Sequence, residues 1–465
     1  MKKLVFIAVI VLAAAAAAWY FLRPGDKARD VVPADAVAVA VFNPLELFQG
    51  LGLKVEEVNE LDQSLKDLMA AVDMEEPVYA FAMKSGLTGM VLNVSDAGKL
   101  QEAASSFGYA SEQQQGMRWI TNSQSIGCLD ADKLLLCGPA LGSQQDALRS
   151  EMLHLMKQSR QDVPLLDKSS LQDGFLRLSA SLSSLPKEYV PGDVKVSDAF
   201  LNASLSIGNQ NIALSASVVD EEGKPLGSLL AGEELLRPIE GLLPTVLPDN
   251  PFAWLCLNIK GEQLLRILRS SPKVGAALMM LNVAFFDADL MLKAIDGDVV
   301  VMMPEADLAR KEVVVTARIS NTDFLKGAEE WDTTSMQNGM SLRKRGEADD
   351  YVFTYQGEKL CFGVRGDFLY LASSERMADR VLLESEQGIL QPMVAGKYLC
   401  GSVDLGQLVK NYALAAIMLG AAPQLYEAVD AVDKLHLTAD RPQSIRLDLT
   451  TKKPIKEIVA KLKNK

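Results

Sequence analysis

A chain of 465 residues with 49% hydrophobic and 23% charged residues is long enough for two domains of roughly 200 residues, each with its own core, and too apolar for disorder. Its net charge of −13 and pI near 4.9 argue against nucleic acid as a partner, because a duplex is held by Lys and Arg arrayed against phosphates. The acidic balance favours solubility.

The first residues decide the compartment. Met1-Lys2-Lys3 is a short basic start, and Leu4 to Leu22 carries no charged or strongly polar side chain, so as a helix it would reach about 28 Å and nearly span a bilayer. Two readings follow. As an uncleaved signal-anchor, the segment places Trp19-Tyr20-Phe21 at a membrane interface and leaves the protein anchored in the inner membrane, with the bulk of the chain exported into the cell envelope. As a cleaved signal peptide, with a site in the alanine run Ala13 to Ala18, it leaves a secreted or periplasmic protein. Arg23 to Asp30 read as a short polar tether.

From Val31 the pattern predicts a buried strand over Ala36 to Phe42 and helices over Pro44 to Leu51 and Val58 to Val72. Strands over Val78 to Met83 and Thr88 to Val94 follow, with Gly86 in their turn. Ser95-Asp96 caps a helix whose Leu100, Ala103, Ala104 and Phe107 fall on one face. A three-stranded meander covers Met117 to Thr121, Gln124 to Leu129 and Lys133 to Cys137. Then come a helix over Gln144 to Gln158, a strand over Gly174 to Ser181, and a hairpin of Ala199 to Ile207 with Ile212 to Val219.

The second half repeats this order. Pro33, Ala38 and Asn43 are matched by Pro248, Ala253 and Asn258 at one offset, 248 − 33 = 215. Phe252 to Leu257 is the opening strand, helices cover Glu262 to Leu268 and Val274 to Leu292, and Asp298 to Met303 pairs with Glu312 to Ile319. An Asn321-capped helix carries Phe324, Ala328 and Trp331, and Tyr351 to Tyr355, Lys359 to Val364 and Phe368 to Ala372 rebuild the meander. Arg365-Gly366-Asp367 thereby takes the place of Asp130-Ala131-Asp132, at an offset of 367 − 132 = 235. Ser374 to Glu384, Tyr398 to Val403, Leu405 to Leu419 and a hairpin of Leu435 to Thr438 with Ile445 to Thr450 complete it. The expected fold class is therefore α+β: two tandem repeats, each a largely antiparallel sheet with helices packed on one face, after an N-terminal hydrophobic helix. The expected boundaries are 1–30 for anchor and tether, 31–232 for the first repeat, and 233–465 for the second, which ends in a basic amphipathic helix from Pro454.

Four motifs carry a resemblance: the Pro33-Ala34-Asp35-Ala36-Val37 opening, Leu236-Arg237-Pro238-Ile239 with Pro248-Asp249-Asn250-Pro251-Phe252-Ala253 at the midpoint, Gly297-Asp298, and Tyr351-x-Phe353 with Phe362-Gly363-Val364 and Leu369-Tyr370 in the second meander. Together they resemble an uncharacterised family of exported bacterial proteins known as domain of unknown function 4836, over nearly the whole chain from about Val31. The resemblance implies a cell-envelope protein and supplies no activity and no site residues. Members of that family commonly carry a lipoprotein signal, whereas the first cysteine here is Cys128, which favours the inner membrane over a lipid anchor.

The search for chemistry is mostly negative. With only His154 and His436 in the chain, a multi-His zinc site is excluded, and G-x-S-x-G, P-loop, strand-linked G-x-G-x-x-G and H-E-x-x-H motifs are missing. Cys128, Cys137, Cys256, Cys361 and Cys400 lie in or beside predicted strands and read as small buried hydrophobes, with a Cys128–Cys137 disulfide across their hairpin as the alternative. Asp130-x-Asp132, Asp287-x-Asp289 and Asp296-x-Asp298 read as turn chemistry rather than calcium loops, and Arg365-Gly366-Asp367 as a chance match to an adhesive tripeptide. No catalytic, cofactor-binding or metal-ligating residue is assigned, and no cofactor.

Two apolar helices, Val274 to Leu292 and Leu414 to Ala422, read as core or as the lining of a groove for a hydrophobic ligand. Arg441 to Lys465 holds eight basic and two acidic residues, and its terminal helix either docks on the fold or rests on anionic lipid. The expected function is a non-catalytic binding or scaffold protein of the cell envelope. It is held to the membrane by its N-terminal helix, with a hydrophobic ligand or another envelope protein as partner. The alternatives are an envelope hydrolase with a site between the repeats and a structural spacer without ligand.

Overall fold

The computed structural model describes residues 26–53, 63–114, 116–140, 145–158, 162–170, 172–184, 199–222, 235–241, 251–270, 275, 287–306, 312–326, 340–346, 349–355, 357–383, 391–407 and 431–463. The apolar segment Leu4 to Leu22, most of the helix expected over Val274 to Leu292, and the apolar run Leu414 to Ala422 lie outside the described residues. Among the described residues no helix is long and apolar enough to cross a membrane. Contacts divide the chain into two units, one of Met1–Leu229 with Thr451–Lys465 and one of Leu230–Thr450.

The first unit is built on strands β1 (Ala36–Phe42), β2 (Val78–Met83), β3 (Thr88–Asn93), β4 (Ala110–Gln114), β5 (Met117–Thr121), β6 (Ile126–Leu129), β7 (Lys133–Gly138), β8 (Leu176–Ser181), β9 (Phe200–Ile207) and β10 (Asn211–Val219). Every pairing is antiparallel, in the order β4-β5-β6-β7-β3-β2-β1-β8-β9-β10. The run Val39 to Phe42 is buried on successive residues, which suits a strand covered on both faces. Helices α1 (Asp26–Arg29), α2 (Pro44–Leu51), α3 (Gln63–Ala71), α4 (Ala97–Ser106), α5 (Gln145–Lys157) and α6 (Pro164–Ser170) stand between and after these strands.

These helices pack on both faces of the sheet, where one face was expected. Val91, Trp119, Cys128 and Leu135 meet Met152 and Leu155 of α5 and Leu165 and Leu166 of α6. Their strand neighbours Leu92, Ile120, Leu129 and Leu134 point the other way and meet Ala71 of α3 with Leu100 and Ala104 of α4. The reason stands in the strands themselves. Leu134-Leu135-Leu136-Cys137 is apolar on consecutive residues, and a sheet wet on one side would alternate. Each fully buried side chain of this size contributes about 1.5–3 kcal/mol.

Three further expectations are corrected here. The tether is shorter than read: Asp26–Arg29 is helical, Ala28, Val31 and Val32 are fully buried, and Arg29 pairs with Asp167 at 2.7 Å. Phe107 does not face inward but is 51% exposed, because α4 ends at Ser106 and Phe107, its C-cap, leaves the helical row. The meander has a fourth strand, β4, whose Ala-Ser-Glu-Gln-Gln is exposed at every position and so carries no hydrophobic alternation to read.

The second unit holds β11 (Leu236–Arg237), β12 (Ala253–Lys260), β13 (Ile295–Met303), β14 (Val314–Ile319), β15 (Met340–Lys344), β16 (Asp350–Tyr355), β17 (Glu358–Arg365), β18 (Phe368–Ala372), β19 (Leu399–Asp404), β20 (Val432–Ala439) and β21 (Ser444–Thr451). Its antiparallel order is β15-β16-β17-β18-β14-β13-β12-β19-β20, and Thr450 of β21 bonds both backbone groups of Lys434 in β20 through its hydroxyl. Helices α7 (Gly261–Ser270) and α8 (Ala288–Ala294) lie on one face, and α9 (Glu375–Leu383) and α10 (Gln391–Val394) on the other.

Strand for strand, β12 to β20 stand in the same order as β1 to β9. Ala38 to Phe42 pair with Ala180 to Leu176, and Ala253 to Leu257, 215 residues on, pair with Val403 to Leu399. The Val94 amide donates to Asp132 O at 2.8 Å and the Ile319 amide to Asp367 O at 2.8 Å. Ser95 and Ser320 likewise bond Ala71 O and Ala294 O through their amides, at 2.9 and 2.8 Å.

The last helix, α11 (Ile455–Lys463), was expected at the end of the second repeat, and the structure returns it to the first unit. The Thr451 amide donates to Gln210 O at 2.9 Å and the Ile455 amide to Asn209 O at 2.8 Å, which turns the chain onto α2. Ile455 and Val459 are buried there, and the stem of Lys456 crosses Gly52, where an added Cβ would lie 2.6 Å from Lys456 Cγ. Gly52, at φ +70°, is also the left-handed cap that ends α2.

Candidate functional site

The midpoint motif folds as a strap on the second unit. Leu236 and Arg237 pair with Ile259 and Asn258, and Pro238, which has no amide hydrogen, ends the pairing. Ile239 is buried, its amide donating to Lys397 O at 2.7 Å while its carbonyl accepts from the Gly396 amide at 2.9 Å. The next two amides, of Glu240 and Gly241, donate to Asp298 Oδ1 at 3.0 Å and Oδ2 at 2.8 Å. Asp298 is 1% exposed, so its charge is held by oriented backbone dipoles rather than water.

A polar rim surrounds this anchor. Arg237 donates from Nε to Asn258 Oδ1 at 3.1 Å and from Nη2 to Asp296 Oδ1 at 2.6 Å, and Asn258 Nδ2 donates to Pro238 O at 3.0 Å. Arg318 reaches Glu240 Oε2 at 2.6 Å and Asp367 Oδ2 at 3.4 Å. Its stem crosses Gly297, where a Cβ would sit 3.0 Å from Arg318 Cβ. The resemblance motifs Leu236 to Ile239 and Gly297-Asp298 thus meet each other, and they meet Asp367 of the second meander.

In the meander, Asp350 is buried beneath Tyr370, whose hydroxyl donates to Asp350 Oδ1 at 2.5 Å, and Arg365 pairs with Oδ2. Gly363 makes room: a Cβ there would lie 2.3 Å from Asp350 Oδ1. Burial first, then the hydrogen bond to Asp350, push the Tyr370 phenol well above its usual range and keep it a donor. The adhesive reading of Arg365-Gly366-Asp367 is not what the fold uses, since Arg365 is committed to Asp350 and Asp367 to Arg318.

Counted across the sheets, Trp119, Cys128, Leu135, Val91, Tyr79, Val41 and Arg177 form one row in the first unit. Asp350, Gly363, Tyr370, Thr316, Val300, Cys256 and Cys400 form the corresponding row in the second. The place filled by Trp119 under Arg149, with 5.1 Å from guanidinium to ring centroid, is filled in the second unit by the Asp350 network. Nothing in the sequence offsets singled out that exchange, because it needs the strand register.

The cysteines are all buried, and none of the five is in a disulfide. Cys128 stands opposite Leu135 and Cys137 opposite Ile126, so the expected alternative of a disulfide between them is replaced by two thiols out of register. Burial, and then Asp130, push the Cys128 thiol up to about 12, and burial raises Cys256, Cys361 and Cys400 as well. The unfolded chain therefore ionises first: stability is complete below pH 9.0 and is lost as the pH rises toward 12. The native protein should leave a thiol reagent unreacted at pH 8 and lose thermal stability progressively above pH 9; rapid labelling of any of the five in the native state would contradict the burial.

The remaining candidates act locally. Asp130 accepts from the Ala131 amide at 2.7 Å, Asp287 caps α8 through the Leu290 amide at 2.9 Å, Asp289 pairs with Arg269, and Asp296 with Arg237. His154 is exposed on α5, and His436 stands opposite Ser402 in β20. A cavity of about 320 Å³ in the first unit is lined by Thr88, Met90, Gln124, Leu136 and Pro139, at the low end of the size of ligand pockets.

The family profile described as Domain of unknown function (DUF4836) matches residues 141–389. The chain belongs to this family. The DUF4836 match begins just before α5 in the first unit and ends just after α9 in the second, so it takes in the strap, Asp298 and the second meander. No curated protein matches the chain. Among solved structures, crystal form I of TP0453 is 15% identical over 41% of this chain and 76% of its own, at a TM-score of 0.29. Crystal form III is 13% identical over 44% and 80%, at 0.31. The DNA polymerase sliding clamp of Pseudomonas aeruginosa is 10% identical over 89% and 98%, at 0.10.

Proposed function

We propose that this DUF4836 protein is a non-catalytic binding or scaffold protein of the cell envelope, whose folded part arose by duplication of one α+β unit. The observation that carries the reading is the state of the polar groups: Arg237, Asp296, Asp298, Arg318, Asp350, Arg365 and Tyr370 are engaged with one another or with backbone, which suits a rigid surface and not a proton-transfer site. The shared strand order, the shared Ala253-to-Leu257 register and the paired Val94 and Ile319 bonds support the duplication. The apolar segment Leu4 to Leu22 supports export and attachment to the inner membrane.

The test is fractionation and affinity capture of the intact protein from envelope extracts, with bound lipids and proteins identified together. Recovery in the membrane fraction with a reproducible companion is the expected result. Recovery only from the cytosol would overturn the envelope reading, and membrane recovery without any companion would favour a spacer.

A further inference from the structure

We propose that the exposed lysine face of α11 and the loop before it is a docking surface for an anionic lipid bilayer. The inference deepens the envelope reading above and rests on it for the source of the lipid.

The charge of the first unit is segregated. Residues 26–229 hold sixteen basic and twenty-eight acidic residues, 16 − 28 = −12, whereas residues 451–465 hold six basic and one acidic, 6 − 1 = +5. The fold turns that contrast into a surface. Ile455 and Val459 are spent on the contact with α2, which leaves Lys452, Lys453, Lys456 and Lys461 exposed on the outer side with Glu457 as the acid among them. A helix with its apolar side already docked cannot insert into a bilayer, so attraction to negatively charged headgroups is the interaction left to it.

The position of this unit supports the same occupant. Ala28, Val31 and Val32 are buried in its core, so only Arg23, Pro24 and Gly25 separate the apolar segment ending at Leu22 from the helix starting at Asp26. Three residues reach at most about 10 Å, close to the screening length of about 8 Å at physiological salt. A membrane holding the apolar segment would keep the first unit tethered beside its surface.

The experiment is lysine footprinting of the full chain by an amine-reactive reagent, read residue by residue by mass spectrometry, with phosphatidylcholine vesicles alone or with roughly 30% phosphatidylglycerol. With each surface lysine contributing on the order of tenfold or less in partition, modification of Lys453, Lys456 and Lys461 is expected to slow about tenfold on the anionic vesicles and recover in high salt. Lys84 and Lys99, exposed elsewhere on the same unit, serve as internal controls and should be unchanged. The triple variant Lys453→Glu, Lys456→Glu, Lys461→Glu should then lose any preference for anionic over neutral vesicles. Equal rates on the two vesicle types, or equal slowing of Lys84 and Lys99, would overturn the proposal. Carbonate extraction of the same reconstituted sample separates the two readings: a chain released by carbonate refutes the anchor, whatever the footprint shows.

Discussion

Replacing Asp298 with Ala is expected to lower the stability of the protein by about 3 kcal/mol, because it removes the acceptor from two backbone amides, one of them, that of Gly241, buried. The Glu240 and Gly241 amides, at 3.0 and 2.8 Å from the carboxylate, would lose their partner, and the strap would be left with the Ile239 bonds to Lys397 and Gly396. Asp298→Asn keeps one carbonyl oxygen and should retain roughly half of the loss. The measurement is the urea midpoint by circular dichroism, with hydrogen exchange at residues 236–241 as the local readout. A change below about 1 kcal/mol for the Ala variant, with the strap still protected, would mean that the anchor lies elsewhere.

Trp119→Ala should cost about 3–5 kcal/mol, the range for deleting a large aromatic side chain from a packed interior. Trp119 is 1% exposed, packs with the α5 and α6 layer, supports Arg149 at 5.1 Å and donates from Nε1 to Gln114 O at 3.3 Å, which holds the edge strand β4. Truncation would leave a cavity and free that edge, so faster exchange at 110–114 should accompany the lower midpoint. Trp119→Phe, which keeps most of the apolar volume and loses only the Nε1 donor, should recover more than half of the stability. If the Ala variant melts like the parent, the described packing of this face is incorrect.

What the sequence made legible follows from contact range. The β1 and β12 strands, the hairpin turns and the caps are written in residues within a few positions of each other, and Phe368–Ala372 and Met117–Thr121 fall where the pattern predicts them. The offset of 235 between the two meanders reappears as the matched carbonyls of Asp132 and Asp367. The strap was out of reach because its bonds are remote: Gly241 lies 57 residues from Asp298 and Glu240 78 from Arg318. The Asp296-x-Asp298 pair was read as turn chemistry, and its two members in fact serve different partners, Arg237 and the strap amides. The second helix layer was missed for another reason. Runs such as Leu134 to Cys137 signal burial on both sides, yet the periodicity of a helix does not say which face of a sheet it covers, and α3 with α4 and α5 with α6 divide between the two.

The return of Thr451–Lys465 to the first unit makes the second unit, in sequence, an insertion within the first. A ribosome therefore delivers Leu230–Thr450 in full before the segment that covers α2 and completes its neighbour has emerged. During synthesis the earlier half must wait with α2 lacking the helix that packs on it, and a nascent chain in that state would be a natural client for a holding chaperone.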